Sequence, residues 1–374
     1  MILTSLSLYL YRLPLDSFLP VGKQRIDHRK GLVLQAKATA DGEVCDTEIS
    51  NAEVTDSEVT EGEVKESHVE IAPLSGFDID QQPLSGFSRE SLDEVQQALT
   101  VLLPKLQNQS IDCLLEQAEA SPYPSIAFGL SLLHAKLSGK LDAVRPLTTA
   151  VPLIYQPTDA PKAELIAKIA SLKPSVRSVK VKVAQTSMED ELSLIYGILS
   201  QRPDLKLRLD ANCGFSLEQA LDFAACLPLD SIEYIEEPCQ HPQDNHTLYR
   251  AIPLPYALDE SLNDPDYQFV MHEGLTALII KPMLLGSIEK LQRLIDEAHN
   301  HGVRCILSSS LESSLGINDL AHLAAILTPD EIPGLDTLTA FSQDLLVPSG
   351  KLQCLTLQCL TLNQLERVAS TVQD

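Results

Sequence analysis

Between residues 178 and 310, six short apolar runs each end on an ionisable or polar side chain. They are SVKVK ending at Lys182, LKLRLD at Asp210, IEYIE at Glu236, YALD at Asp259, ALIIK at Lys281 and RCILS at Ser308. The steps between these residues range from 22 (Asp259 to Lys281) to 28 (Lys182 to Asp210). That is the length of one strand, one helix and two loops. Three of the intervening stretches, MEDELSLIYGILSQ, LEQALDFAACL and IEKLQRLIDEAHNHG, and NDLAHLAAILT after the last run, repeat their apolar residues at three and four, as helices do. Strand and helix alternating at this period predict a β/α barrel, a fold that carries its chemistry at the C-terminal ends of the strands.

Ahead of this repeat the pattern differs. SLSLYLYRL and GLVLQAKA alternate at period two and predict two strands. The apolar start, MILTSLSLYLYRLPL, lacks a basic leader and a small-residue cleavage site, so it reads as the first strand rather than a signal peptide. From Gly42 the chain falls into five-residue units, GEVCD, TEISN, AEVTD, SEVTE, GEVKE, SHVEI, too poor in large apolar groups to build a core. Disorder or a loose hairpin is the expectation there. PLSGF then occurs twice, at 73–77 and 83–87. Both repeats suit expansion inside a surface loop, because loop closure costs little more as a loop lengthens. Ser88 to Gln107 shows a helix-capping pattern with helical apolar spacing, and Pro124 to Leu141 reads as a second helix. The expected organisation is an α+β capping domain over residues 1–120, with a low-complexity acidic insertion at about 42–71, joined by a tail over 341–374. The β/α barrel spans 121–340.

Charge narrows the partners. The net charge of −24 argues against nucleic acid and anionic membranes. Residues 41–70 hold eleven Asp and Glu against one Lys, which is −10 of the total, so the body is only moderately acidic. Eight cysteines are scattered with no CxxC pair, as expected of reduced thiols in the cytoplasm. No run is long enough to span a membrane. A small-molecule carboxylate substrate is expected, with the chain a monomer or weak homo-oligomer.

Three of the six run-ending residues, Asp210, Glu236 and Asp259, are carboxylates on consecutive strands. Brought together they would repel, and a hard divalent cation such as Mg²⁺ resolves the repulsion while leaving room for substrate oxygens. The alternative is that each pairs with a nearby Lys or Arg. Lys182 and Lys281 flank the carboxylates on opposite sides, and a lysine in a dry pocket can serve as a base. Lys180 shares the inward face of Lys182, so each should depress the other's pKa; a solvated edge strand is the alternative. Arg208 faces inward two residues before Asp210, where it could orient a ligand or a substrate carboxylate. A base, a divalent ion and a second lysine suit removal of the proton α to a carboxylate, with an enediolate intermediate. Elimination, racemisation and cycloisomerisation all remain open on these grounds.

The order Lys-x-Lys, Asp, Glu, Asp, Lys resembles the enolase superfamily. VKVKV, LRLDAN, IEEPC, DESL, IIKPMLLGS, SSSLESSLG and IPGLDT, with PLSGFS and PSIAFG upstream, narrow the resemblance to the proteobacterial o-succinylbenzoate synthases. The resemblance runs from about residue 6 to 345 and implies a (β/α)7β TIM-type barrel with an α+β cap. It further implies Mg²⁺, or Mn²⁺ as a substitute, on Asp210, Glu236 and Asp259. Lys182 would be the base and Lys281 the charge that stabilises the enediolate. Lys180, Arg208 and Asn212 would support the site, while Ser308 and the backbone at Gly334 would seat the succinyl chain. The reaction implied is the syn dehydration that forms o-succinylbenzoate for menaquinone. N-succinylamino acid racemases and dipeptide epimerases of the same superfamily would use the same two lysines. The sequence departs from the family at His68-Val69-Glu70, where an aromatic and a glycine often precede the glutamate. It departs again at Cys213-Gly214-Phe215 after Asn212, and it lacks tryptophan altogether. Of the two PLSGF copies, Pro83 to Ser88 is the expected substrate-facing loop, since it precedes the capped helix.

Overall fold

The computed structural model describes residues 1–22, 24–40, 64–84, 86–154, 162–349 and 359–372. Most of the acidic pentad repeat lies outside them. Its last units do not: Val64–Ile71 is a regular strand. The insertion is therefore shorter than the composition suggested, and the Glu-plus-β-branched alternation of this end suits a sheet once a partner strand is present.

Three long strands, β1 (Ile2–Val21), β2 (Gln24–Thr39) and β3 (Val64–Ile71), form an antiparallel sheet. Leu8, Leu34 and Val69 stand opposite one another across it and are fully buried. Helix α1 (Leu92–Leu106) lays Val95, Leu99, Leu103 and Leu106 into this sheet domain. It starts at a capping box, with Ser91 and Glu94 satisfying each other's backbone N–H groups. After α2 (Cys113–Ala120) comes α3 (Pro124–Leu137), apolar nearly all round and correspondingly buried on nearly every residue. It lies between β3 and the barrel. At Gly129 a Cβ would come within 2.4 Å of Ile71, so glycine sets how closely helix and strand approach.

The barrel strands are β4 (Leu153–Ile154), β5 (Ser178–Lys182), β6 (Lys206–Asp210), β7 (Ile232–Glu236), β8 (Tyr256–Leu258), β9 (Leu275–Ile280) and β10 (Arg304–Leu307). All are parallel and adjacent in chain order. Helices α4 (Lys162–Ala170), α5 (Met188–Gln201), α6 (Leu217–Ala225), α7 (Pro242–Ala251), α8 (Pro282–Leu285), α9 (Ile288–Asn300) and α10 (Ser314–Leu327) connect or follow them. The eighth staves position is filled by the segment 333–335. Gly334 bridges Ser308 in parallel fashion, its N–H donating to Leu307 O at 2.8 Å, while Val151 N–H donates to Pro333 O at 3.1 Å. A Cβ on Gly334 would meet Ser308 Oγ at 2.7 Å, so any larger residue in this closing stave would push the Ser308 hydroxyl aside.

The chain then leaves the barrel. β11 (Asp344–Leu345) pairs with β12 (Cys359–Leu360), and β13 (Glu366–Ser370) adds to the free edge of β1 in the N-terminal sheet. Among the described residues no helix is long and apolar enough to cross a membrane, and Cys113, Cys213, Cys226, Cys239, Cys305 and Cys359 are free thiols.

Candidate active site

All six run-ending residues emerge at one end of the barrel, because each is at or just past the last residue of a parallel strand. The register places Lys182 beside Asp210 and Asp210 beside Glu236. Asp210, Glu236 and Asp259 are 1–2% exposed. β5 is an interior strand, not an edge: Val179 and Val181 are fully buried, while Lys180 and Lys182 alternate with them and reach into the carboxylate cluster.

The cluster is knit by ammonium groups. Lys180 Nζ stands 2.7 Å from Asp210 and 2.5 Å from Glu236. Lys182 Nζ donates to Asp210 at 2.7 Å and to Asn212 Oδ1 at 2.6 Å. Lys281 Nζ donates to Asp259 at 2.6 Å. The carboxylates thus do pair with lysines, but with lysines that are themselves at strand exits. Burial raises the Asp210 carboxyl, but Lys180 and Lys182 outweigh it and hold it well below the usual range. Glu236 moves the other way: burial pushes it up, Lys180 opposes, and Asp210 and Asp259 add to the rise. Burial lowers Lys180, yet Asp210, Glu236 and Asp259 together raise it well above its ordinary value. The mutual depression expected of the paired lysines is therefore overcome at Lys180 by the carboxylates around it.

Asn212 has a left-handed φ of +43°, which turns the loop after β6 back over the barrel. Its Nδ2 donates to Glu260 Oε1 at 2.9 Å, so it links Lys182 to the carboxylate following Asp259. Ser308 is buried and its Oγ donates to Gly334 O at 3.1 Å, so these two residues come together at the closing stave. Arg208 is elsewhere. Its guanidinium grips Glu233 at 3.1 and 3.2 Å, donates to Ile332 O at 3.2 Å and lies over the Tyr234 ring. Glu233, Arg304 and Glu331 complete an ion-pair floor at the opposite end of the strands. Arg208 shares the inward face of Asp210 but is spent on the floor instead of orienting a ligand.

Several residues at this site escaped the sequence pattern. Glu70, at the end of β3, is buried against the N-terminus of α10. It accepts from Ser313 N–H at 3.0 Å, Ser313 Oγ at 2.5 Å, Gly316 N–H at 2.9 Å and the Tyr11 hydroxyl. Arg29 of β2 donates to Leu311 O at 3.0 Å, Pro73 O at 3.0 Å and Ala72 O. Together they strap the N-terminal sheet to the Ser308–Ser313 loop of the barrel. The first PLSGF copy, beginning at Pro73, is tied to that loop through Arg29, while Leu84 and Phe87 of the second pack beside Leu311 of the loop on the cluster of Leu19, Val21, Ile26, Leu74 and Ala340. The second packs on the first, with Leu84 N–H donating to Gly76 O at 2.9 Å and Leu74 N–H to Ser88 Oγ at 2.8 Å. A glutamate retained at position 70 was the available signal; its departure from the family's preceding residues obscured it.

Among the described residues no three His, Cys, Asp or Glu side chains stand in a finished coordination geometry; lysine ammoniums occupy the inner oxygens. The donor set nevertheless suits a hard cation. It is all oxygen, comes from three adjacent strands and is almost fully buried. Asp259 Oδ1 is buried with no hydrogen-bond partner.

Carboxylates and lysines ringing the strand exits of such a barrel define an enolase-like enzyme, and the enolase C-terminal domain-like family matches residues 164–349. Curated relatives narrow this. The o-succinylbenzoate synthase of Haemophilus influenzae is 34% identical over 338 residues, covering 89% of this chain and 90% of that protein. That of Escherichia coli K12 is 40% identical over 260 residues, covering 68% and 77%. The chain belongs to the o-succinylbenzoate synthase family and is a lyase that carries out dehydration. Solved structures share the fold at lower identity. The o-succinylbenzoate synthase of Thermosynechococcus elongatus BP-1, complexed with Mg in its active site, has a TM-score of 0.62 at 22% identity over 88% of this chain and 92% of that one. An N-succinyl Arg/Lys racemase from Bacillus cereus has a TM-score of 0.70 at 18% identity, covering 92% and 89%.

Proposed function

We propose that the chain converts 2-succinyl-6-hydroxy-2,4-cyclohexadiene-1-carboxylate to o-succinylbenzoate by a syn dehydration, the step that feeds menaquinone biosynthesis. The observation that carries this reading is the placing of two lysines, Lys182 and Lys281, on either side of three buried carboxylates, each lysine within 2.7 Å of one of them. Lys182 Nζ, acting as the base, takes the ring proton α to the substrate carboxylate. The ammonium so formed delivers that proton to the departing hydroxyl on the same ring face, so one side chain serves as base and then acid and water leaves. Asp210 and Asn212 aim Lys182 from two directions. Lys281, charged beside Asp259, opposes the negative charge that builds on the substrate carboxylate as the enediolate forms. Burial lowers the Lys281 pKa, but Asp259 and Glu260 more than reverse this, which keeps it the cation.

Asp210, Glu236 and Asp259 would hold Mg²⁺, as their oxygen-only donors and the unpartnered Asp259 Oδ1 suggest. Mg²⁺ bound there supplies further positive charge next to the substrate carboxylate. Lys180, gripped by Asp210 and Glu236, stays charged and holds those two carboxylates in place. Ser308 and the Gly334 backbone, joined at the closing stave, would seat the succinyl chain.

The test is loss of cyclohexadiene absorbance with purified protein, with Mg²⁺ and with EDTA. Metal-dependent aromatisation that falls by about 10²–10⁴ in Lys182→Ala supports both the reaction and its base. Mg²⁺ binding without turnover would overturn the dehydration, and exchange of the α-proton of N-succinylamino acids would then favour a racemase.

A further inference from the structure

Directly after Glu236 stands a second glutamate, Glu237, fully buried and turned to a left-handed φ of +34°. That turn aims the two consecutive carboxylates at different targets. Glu236 faces the lysines inside the barrel. Glu237 reaches across to the exit of β8, where its Oε1 accepts from the N–H of Asp259 at 3.1 Å and of Ser261 at 2.9 Å. Its Oε2 accepts from Asn245 Nδ2 at 3.0 Å, and Asn245 Oδ1 accepts from Cys239 N–H at 3.1 Å. The main chain of Glu237 is tied in both directions as well. Its N–H donates to Ala257 O at 3.0 Å and its C=O accepts from Cys213 N–H at 2.8 Å. One residue thus joins the exits of β6, β7 and β8, the three strands that carry the carboxylates. Asp259 itself sits at φ −130°, ψ −77°, outside the strand and helix regions, so its conformation has to be held from outside.

We propose that Glu237, oriented by Asn245, is a positioning residue that fixes Asp259 for metal binding. The inference rests on the reading of Asp259 as a Mg²⁺ ligand. Its chemistry is specific about hydrogen bonds. Glu237→Gln keeps one oxygen for Asp259 and Ser261 but turns an NH2 group onto the NH2 group of Asn245. Flipping Asn245 moves the conflict to Cys239 N–H. Exchanging both, Glu237→Gln with Asn245→Asp, restores every pairing at unchanged net charge. The new amide donates to a carboxylate that still accepts from Cys239.

The experiment is calorimetric titration of the full chain with Mg²⁺ alone, together with the unfolding midpoint of the metal-free protein. Glu237→Gln is expected to weaken Mg²⁺ binding ten- to a hundredfold, the range typical of outer partners of metal ligands. The double exchange should return affinity to within about threefold of the parent, which a merely space-filling role would not require. Equal affinity in parent and Glu237→Gln, or a double variant no better than the single, overturns the inference. A parent chain that binds no Mg²⁺ overturns the underlying ligand assignment too, which separates the two failures. Should Glu237→Gln not fold, Asn245→Ala leaves the bonds to Asp259 and Ser261 in place while freeing the other oxygen. Weaker Mg²⁺ binding is then expected, and unchanged binding overturns the role of the pair.

Discussion

Glu70→Gln should loosen the strap between the N-terminal sheet and the barrel. In the parent, Glu70 Oε1 accepts from the Tyr11 hydroxyl and from Ser313 N–H, and Oε2 from Ser313 N–H at 3.1 Å, Ser313 Oγ and Gly316 N–H. An amide at the Oε2 position would face Gly316 N–H, donor against donor. The cheaper placement puts the amide at Oε1, where the Tyr11 hydroxyl can rotate to accept. That placement still loses the negative charge at the N-terminus of α10, worth about 0.3–1 kcal/mol. It also turns charge-assisted bonds of about 1.5–3 kcal/mol each into neutral ones of about 0.5–1.5. With three bonds remaining, each losing about 1–1.5 kcal/mol, and the helix-terminus charge lost as well, the loss should come to roughly 3–5.5 kcal/mol, a large part of a domain's stability of about 5–15. Urea and thermal unfolding, read by circular dichroism, measure it. Adding Tyr11→Phe completes a cycle, and the Tyr11–Glu70 coupling should fall within about 0.5–3 kcal/mol. A Glu70→Gln chain within about 0.5 kcal/mol of the parent would refute the strap as a stabilising contact.

Three further outcomes are expected. Asp259→Asn should weaken Mg²⁺ binding at least tenfold and abolish turnover, and normal turnover at limiting metal would remove Asp259 from the ligand set. Gly129→Ala should destabilise by about 1–3 kcal/mol, because its methyl would fall within 2.4 Å of Ile71; an unshifted melting midpoint would show that strand and helix can part without loss. Glu312 is pushed up to about 7 by burial and then by Glu70. Its unfolded value is about 4.3, so between those two values the folded state holds a proton that the unfolded chain has released, and stability falls as pH rises through this window. Glu312→Gln removes that contribution, so its melting midpoint should change less than the parent's between pH 5 and pH 8. Parallel midpoints across that range would refute the buried, proton-holding carboxyl.

The legible parts of this protein are those governed by local periodicity. Alternation in SVKVKV places Lys180 and Lys182 on one face whatever the rest of the chain does, and β5 shows that face turned inward. The three-and-four spacing of MEDELSLIYGILSQ is borne out by α5 from Met188 to Gln201, and the Ser91–Glu94 cap lies where the capping pattern put it. Arg208 shows where the same logic stops. Period two says that it points inward, as it does, but only the contacts at the floor, with Glu233 and Ile332, say at which end of the barrel its guanidinium works. The Val64–Ile71 strand was hidden for a related reason. Its composition continues the acidic repeat, and its strand character comes from pairing with β2 from Thr39 to Leu32.

From the sequence alone follow a strand-helix repeat, the residues at its strand exits and the family they resemble, because these depend on spacing and side-chain type within a few tens of residues. The closing stave at Gly334, the strap from Glu70 and Arg29 to the Ser308–Ser313 loop, and the hold of Glu237 on Asp259 were decided in three dimensions. Glu70 meets Ser313 across 243 positions of chain. A buried carboxylate takes whichever N–H groups the packed elements leave unpaired, and no local pattern specifies which groups those will be.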